Sequence, residues 1–259
     1  MSNSRSPLIK RLADKISEGG KNVVFTGAGI STESGIPDYR SKGGLWDRFR
    51  PVYFDEFMSS KDARIEYWRR KTELYHDLVN ARPNAAHRAL VTLYNRGLLA
   101  AVITQNIDNL HQKAGLPEDT VIELHGNTLR VRCMQCDAVY PLNEVQQRIE
   151  AGDVAPECEC GGYLKPDTIS FGQAMPVDEV ERATALACSC DLLLVIGSTL
   201  LVQPAALMPQ YAKQNGAFLA ILNLSSTPCD DSCDLLIREK AGEVMPQLLQ
   251  HLALEHNKS

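Results

Sequence analysis

Short apolar runs separated by helical patterns dictate how this chain can fold. The runs occupy 22–26, 100–104, 121–124, 169–171, 192–196, 218–222 and 235–237. Each is strand-sized and apolar on both sides, the mark of a strand buried in a parallel sheet rather than one with a wet face. Between several of them apolar residues recur at helical spacing, over 85–95, 180–187, 203–214 and 244–254. Asn84 caps the first of these helices and Gly97 stands just past its end. Strands alternating with helices predict an α/β domain, a doubly wound parallel sheet with helices on both faces and ligands at the carboxyl ends of the strands.

At the start of the chain, Pro7 opens an amphipathic helix carrying Leu8, Ile9, Leu12 and Ile16 and ending at Gly19-Gly20. That helix reads as part of the fold rather than as a removable leader. Two stretches break the alternation. Residues 41–82 are rich in aromatic and charged residues and read as helices without a strand, and residues 130–166 hold four cysteines among Gly and Pro. Both exceed an ordinary βα connection. They read as a helical insertion (41–82) and a metal-binding insertion (130–166) that build a small second domain on a large one made of 1–40, 83–129 and 167–259.

Directly after the first strand stands Thr26-Gly27-Ala28-Gly29-Ile30-Ser31-Thr32. Glycines there let a backbone turn sharply and approach a phosphate, and equally suit a tight structural turn. Thr32 occupies the place of the third glycine of G-x-G-x-x-G, and Gly35 and Pro37 cut short any long helix. The charged and aromatic Asp38-Tyr39-Arg40 that follows suggests a polar loop folded over a ligand. Two further strand ends point at the same crevice: one runs into Gln105-Asn106-Ile107-Asp108-Asn109, the other into His125-Gly126. An imidazole titrates near neutrality, so His125 at this convergence is a candidate general base. His76, His87 and His111 lack that convergence and read as structural.

Cys133-x2-Cys136 and Cys158-x-Cys160 lie with 21 residues between the pairs. Two such knuckles give four thiolates a tetrahedral reach, as a structural zinc requires, and leave no position open for catalysis. Cys188 and Cys190 read as buried small hydrophobes, and Cys229-x3-Cys233 as a loop pair without a supporting feature. Eight cysteines without a signal peptide's apolar core point to a reducing compartment and a soluble, cytoplasmic protein. No apolar run approaches the roughly 18 residues of a membrane span. With 27 Lys+Arg against 32 Asp+Glu, the net charge of −5 argues against a nucleic-acid binder relying on a basic face.

Taken together, these segments resemble the sirtuin family. TGAGISTESGIPDYRS is similar to its opening cofactor segment, TQNIDNLH to its second motif and ELHG to its catalytic-histidine motif. PNAAHRAL, the cysteine pairs, GGYLKPDTISFGQ, IGSTLLVQPAAL and Ile221-Leu222-Asn223 follow in the family's order. The resemblance implies a Rossmann-type NAD-binding domain with a small zinc-ribbon (130–166) and helical (41–82) domain, and an NAD-dependent protein-lysine deacylase, acetyl by default, that yields nicotinamide, 2′-O-acyl-ADP-ribose and free lysine. Its implied partners are NAD and acyl-lysine peptides and proteins, without nucleic acid or membrane.

By the same resemblance, Gly27, Ala28, Gly29, Ile30 and Ser31 line the diphosphate, and Asp38, Tyr39 and Arg40 cover the cofactor. Gln105 touches the ribose, and Asn106, Ile107 and Asp108 hold the nicotinamide end. Gly197, Ser198, Thr199, Asn223, Ser225 and Ala241 surround the adenosine. His125 is the general base, with Asn106 and Asp108 also catalytic. Ile169, Ser170, Phe171 and Gly172 pair with the substrate peptide, and Cys133, Cys136, Cys158 and Cys160 hold zinc. The family's members that prefer acidic acyl groups carry Tyr-x-x-Arg in the acyl pocket; Tyr67 and Arg70 have that spacing and share a helix face, or are a packed Tyr and a solvated Arg. Ser198-Thr199 reverse the common Thr-Ser order, with little effect expected. Gln173 stands where Glu is usual, which bears on peptide preference. ADP-ribosyl transfer or NAD hydrolysis would use the same site. A non-catalytic binding module would not need a base beside Gln105, Asn106 and Asp108.

Overall fold

A computed structural model describes residues 5–38, 44 and 50–256. Tyr39 and Arg40 of the covering loop, and the part of the helical insertion over 41–43 and 45–49, lie outside the described residues. The strands are β1 (Asn22–Thr26), β2 (Ala101–Thr104), β3 (Val121–Glu123), β4 (Gly126–Cys133), β5 (Val139–Pro141), β6 (Leu164–Thr168), β7 (Leu192–Ile196), β8 (Phe218–Leu222) and β9 (Leu235–Ile237). The helices are α1 (Arg5–Ser17), α2 (Phe54–Ser59), α3 (Lys61–Asn80), α4 (Ala85–Asn95), α5 (Leu110–Ala114), α6 (Leu142–Glu150), α7 (Val177–Ser189), α8 (Met208–Gln214) and α9 (Ala241–His256).

Six strands form one sheet in the order β3-β2-β1-β7-β8-β9, and its pairings are all parallel. Because side chains alternate along a strand, each strand feeds two cores. Val24, Val102, Leu194 and Ala220 pack on one face against α1, α4 and α9; Phe25, Ile103, Leu193 and Ile221 pack on the other against α7 and α8. The continuous apolar runs in the sequence follow from this double coverage. β1 sits between β2 and β7, so the chain's direction across the sheet reverses beside Gly27, and the crevice opens there. Asn22 fixes the entry to β1, its amide donating to the carbonyls of Ile16 and Leu98.

The second sheet is antiparallel, ordered β5-β4-β6. Trp68 of α3 is fully buried against Val131, Cys133, Leu142 and Leu164, and its indole N–H donates to the Leu164 carbonyl at 3.0 Å. This contact docks the helical insertion on the cysteine-bearing one. β4 and β6 both run across the expected junctions near residues 130 and 166.

Several elements differ from expectation. The run 169–171 is not a strand; the strand is the preceding Leu-Lys-Pro-Asp-Thr, whose composition hides it. Pro166 lacks an N–H, which an edge strand tolerates, and β6 pairs with β4 alone. The pattern over 203–214 resolves into a single turn at Ala205–Leu207 followed by the short α8, with Pro204 and Pro209 marking the divisions. α1 begins before Pro7, and its Leu8 is exposed while Ile9, Leu12 and Ile16 are buried. No described helix is long and apolar enough to cross a membrane.

Candidate active site

β1 delivers the chain into two tight turns, Ala28–Ile30 and Thr32–Ser34, closed by Gly35 at φ +86°. The loop after β7 abuts them. A Cβ on Gly27 would lie 2.7 Å from the Gly197 carbonyl oxygen, and one on Gly29 would lie 2.8 Å from Gly197 Cα. Gly197 itself has φ +64°. These glycines are required because two backbones touch. The N–H groups of Gly27, Gly29, Ile30 and Ser31 are each bonded to a protein carbonyl. The turn therefore offers a diphosphate close approach more than a row of free donors. Ile30 is buried in the core and does not line the crevice.

The second motif closes over this turn. Ser31 Oγ donates to Asp108 Oδ2 at 2.7 Å, and the Asn106 amide donates to the Gly27 carbonyl at 3.1 Å and to Ser31 Oγ at 3.2 Å. Asp108 Oδ1 accepts the Leu110 N–H that opens α5. Burial pushes the Asp108 carboxyl above its ordinary range, against those hydrogen bonds. Gln105 reaches across to β7's loop, its amide donating to Ser198 Oγ at 2.7 Å.

His125 lies half-buried at the end of β3, with Nδ1 3.1 Å from the Gln105 carbonyl. A carbonyl only accepts, so Nδ1 carries the proton and Nε2 is left basic. Burial lowers the imidazole pKa from 6.5, opposed by the bond to Gln105.

These residues line one cleft of about 1200 Å³. Gly27, Ala28, Gly29, Ser31, Asp38, Gln105, Asn106, Ile107, Asp108 and His125 border it, as do Gly197, Ser198, Thr199, Asn223, Ser225 and Ala241. So do Ile169, Ser170, Phe171 and Gly172, and also Tyr67 and Arg70. The 169–172 loop is held from two sides. Ile169 N–H donates to the His125 carbonyl and Phe54 N–H to the Phe171 carbonyl, with the Tyr53 and Phe171 rings in tilted contact, centroids 5.8 Å apart. Gln173 accepts the Ser170 N–H, tightening the loop's turn.

Tyr67 is buried, its hydroxyl 3.3 Å from Thr168 Oγ1. Burial raises its pKa, but the Lys71 and Lys165 charges together with hydrogen bonds from Thr168 and Ser170 outweigh that and bring it down to about 8. Arg70 donates to Glu66 at 2.6 Å and to the Arg50 carbonyl, so its guanidinium is committed within the protein. Lys71 and Arg50 also line the cleft, and neither stood out in the sequence.

The four sulfurs of Cys133, Cys136, Cys158 and Cys160 lie within 4.8 Å of one another, with Cys133–Cys160 at 3.5 Å and Cys136–Cys158 at 3.7 Å. Thiolates about 2.3 Å from a tetrahedral zinc sit about 3.8 Å apart, so the set fits zinc. A Cβ on Gly162 would come within 2.6 Å of Cys133 Sγ, which explains the glycine after the shortened knuckle. Cys190 is buried as expected, whereas Cys188 is exposed because it lies on the outer face of α7; Cys229 is buried and Cys233 half-buried.

A buried layer beneath the site escaped the sequence reading. Thr26 and Thr104 end adjacent strands in register and hydrogen-bond to each other at 2.8 Å. Thr104 Oγ1 also accepts the Asn106 N–H at 3.0 Å. The one available signal was that both strands end in Thr directly before a site loop.

Fold and site together define an α/β protein with a nucleotide crevice facing a peptide-sized loop and a four-cysteine knuckle. The Sir2 family model matches residues 27–204, and the chain belongs to the Sir2 family. It is 52% identical to NAD-dependent protein deacetylase 1 of Bradyrhizobium diazoefficiens over 92% of this chain and 93% of that one. It is 49% identical to an NAD-dependent protein deacetylase of Rhodopseudomonas palustris over 93% and 96%. A solved Sir2 variant structure with deacetylated p53 peptide and 3′-O-acetyl ADP-ribose superposes with a TM-score of 0.87 at 36% identity, covering 93% of this chain and 97% of that one.

Proposed function

We propose that this chain is an NAD-dependent protein-lysine deacylase, acetyl being its default acyl group. It converts acyl-lysine, NAD and water into lysine, nicotinamide and 2′-O-acyl-ADP-ribose. The relatives named above carry that activity in their names, at about half identity over nearly the whole chain. The observation that carries the reading is His125, a neutral base whose Nε2 has no hydrogen-bond partner among the described residues, in a cleft bordered by both the glycine turn and the 169–172 loop.

NAD supplies a ribose carbon that becomes electron-poor as nicotinamide departs and is trapped by the acyl oxygen. Gly27, Ala28, Gly29 and Ser31 receive the diphosphate, and Gln105 with Ser198 orients the ribose. Asn106, Ile107 and Asp108 hold the nicotinamide end, while Gly197, Thr199, Asn223, Ser225 and Ala241 surround the adenosine. Asp38, Tyr39 and Arg40 exclude water from the reacting carbon. His125 Nε2 takes the ribose hydroxyl proton so that this oxygen attacks the acyl carbon. Ile169, Ser170, Phe171 and Gly172 bind the peptide through backbone groups, which favours broad sequence tolerance. Tyr67 and Arg70 border the acyl group. Arg70's existing bonds to Glu66 and Arg50 favour a neutral acyl chain over an acidic one.

Cys133, Cys136, Cys158 and Cys160 hold one zinc that stiffens the small domain, built on 41–82 and 130–166 and rooted by β4 and β6 in the large domain of 1–40, 83–129 and 167–259. Free thiols outside the zinc set suit a cytoplasmic location. The test is incubation with NAD and acetyl-, succinyl- and long-acyl-lysine peptides, with products read by mass. Acetyl-peptide turnover supports the reading; nicotinamide release without deacylated peptide replaces it with ADP-ribosyl transfer or NAD hydrolysis.

A further inference from the structure

His87 and His111 are fully buried beneath the site, at 0% and 1% exposure, with ring centroids 5.1 Å apart. Their hydrogen bonds set their tautomers. Thr26 Oγ1 donates its proton to Thr104 Oγ1, so toward His111 Nε2, 2.9 Å away, it can only accept. The His111 proton therefore sits on Nε2, and Nδ1 is a bare acceptor. His87 Nδ1 accepts the Asn84 N–H in the capping box of α4, so its proton also sits on Nε2, as a donor. Four buried side-chain N or O atoms lack a partner among the described residues, and two of them are His87 Nε2 and His111 Nδ1.

One orphan is a donor and the other an acceptor, on neighbouring rings. Two imidazoles joined by a nearly linear N–H···N bond have centroids about 5.2 Å apart, which the observed spacing matches. We propose that His87 Nε2–H donates to His111 Nδ1 by reorientation of the rings in place, completing a one-way relay that converges on Thr104 and positions Asn106. The relay runs from the N-terminus of α4 through His111 and Thr26 to Thr104 Oγ1, which also receives the Asn106 N–H. His111 stands on α5, whose first N–H is held by Asp108. His87 and His111 are thus positioning residues that act through Asn106 and Asp108. Their catalytic consequence rests on the deacylase reading; the hydrogen bond itself does not.

Burial lowers both imidazole pKa values, His87 to about 4 and His111 to about 3, so both rings are neutral as the relay requires. The test has two arms. Long-range ¹⁵N–¹H spectra of the labelled protein read the tautomers: both histidines are expected as Nε2–H, with the His87 Nε2 proton slow to exchange and coupled to His111 Nδ1. A proton on His87 Nδ1, or a freely exchanging Nε2–H, overturns the proposal whatever the activity. In the kinetic arm, His87→Asn keeps an acceptor at the Nδ1 position but has nothing at Nε2. It is expected to lower kcat/KM for NAD about tenfold, with peptide KM unchanged. His87→Gln places an amide N–H at the Nε2 position and recovers most of that loss. Equal losses in two variants of equal melting temperature contradict the relay. A wild-type protein that releases no nicotinamide contradicts the deacylase reading instead, and the spectra still decide the hydrogen bond.

Discussion

Gln105 holds His125 by its backbone, the carbonyl oxygen 3.1 Å from the imidazole Nδ1, while the Gln105 side chain reaches Ser198 at 2.7 Å. One residue thus connects the base, the end of β2 and the loop after β7. The bond fixes the tautomer in which Nε2 is the base.

The pH profile follows from this arrangement. Neutral His125 is the working form, so activity is present above its pKa and is lost as pH falls through it. Burial lowers that pKa from 6.5. The acid limb of kcat should therefore have its midpoint below 6.5, and a midpoint above it would contradict the tautomer and burial argument. His125→Ala should lower kcat by roughly 10²–10⁴-fold with NAD affinity retained, read by titration.

Ser31 and Asp108 should behave as a coupled pair. Ser31→Ala leaves a buried carboxylate without one of its donors; Asp108→Asn keeps an oxygen but removes the charge. In a double-mutant cycle on NAD-dependent nicotinamide release, the two changes should couple by about 1–2 kcal/mol. Additive effects would mean that the 2.7 Å contact does not organise the nicotinamide end.

Acid should destabilise the fold through the buried histidines. The folded pKa values of His87 and His111 lie near 4 and 3, below the ordinary 6.5, so unfolding takes up protons between those limits. Stability contributed by this pair is whole above 6.5 and declines as pH falls toward the folded values, by up to about 1.4 kcal/mol per histidine per pH unit. Melting curves from pH 7 to 4 should show this decline, and His87→Gln should flatten it. An unchanged slope in the variant would assign the decline to other groups.

The cysteine cluster makes a metal prediction. Zinc analysis should give about one ion per chain, and a strong chelator should lower the melting temperature. Gly162→Ala should weaken metal retention and destabilise the fold by about 1–3 kcal/mol, because its Cβ would come within 2.6 Å of Cys133 Sγ. A metal-free protein with unchanged stability would remove zinc from the account.

The large sheet was legible because each of its six strands is apolar on both faces, as a doubly covered sheet demands. β6 was not: Lys165, Pro166 and Asp167 carry no apolar period, and Lys165 is fully buried because its ammonium donates to the Thr168 carbonyl. The run at 169–171 drew the strand assignment instead, although its backbone is a loop. At the site, residues adjacent in sequence to a strand end were readable. Contacts that depend on two segments meeting were not, such as Thr26 with Thr104, Arg70 with the Arg50 carbonyl, or Phe171 with Phe54. Gly27 and Gly29 were readable as a phosphate approach or a tight turn, but not the close packing on Gly197, about 170 residues away, that makes glycine necessary there.

The stoichiometry of a single incubation with NAD and an acetyl-lysine peptide, measured by mass, separates deacylation from the other uses of this site. Deacylation coupled to NAD cleavage predicts nicotinamide, deacetylated peptide and O-acetyl-ADP-ribose in equal amounts. Nicotinamide with free ADP-ribose or an ADP-ribosylated product, and the peptide still acetylated, would contradict it.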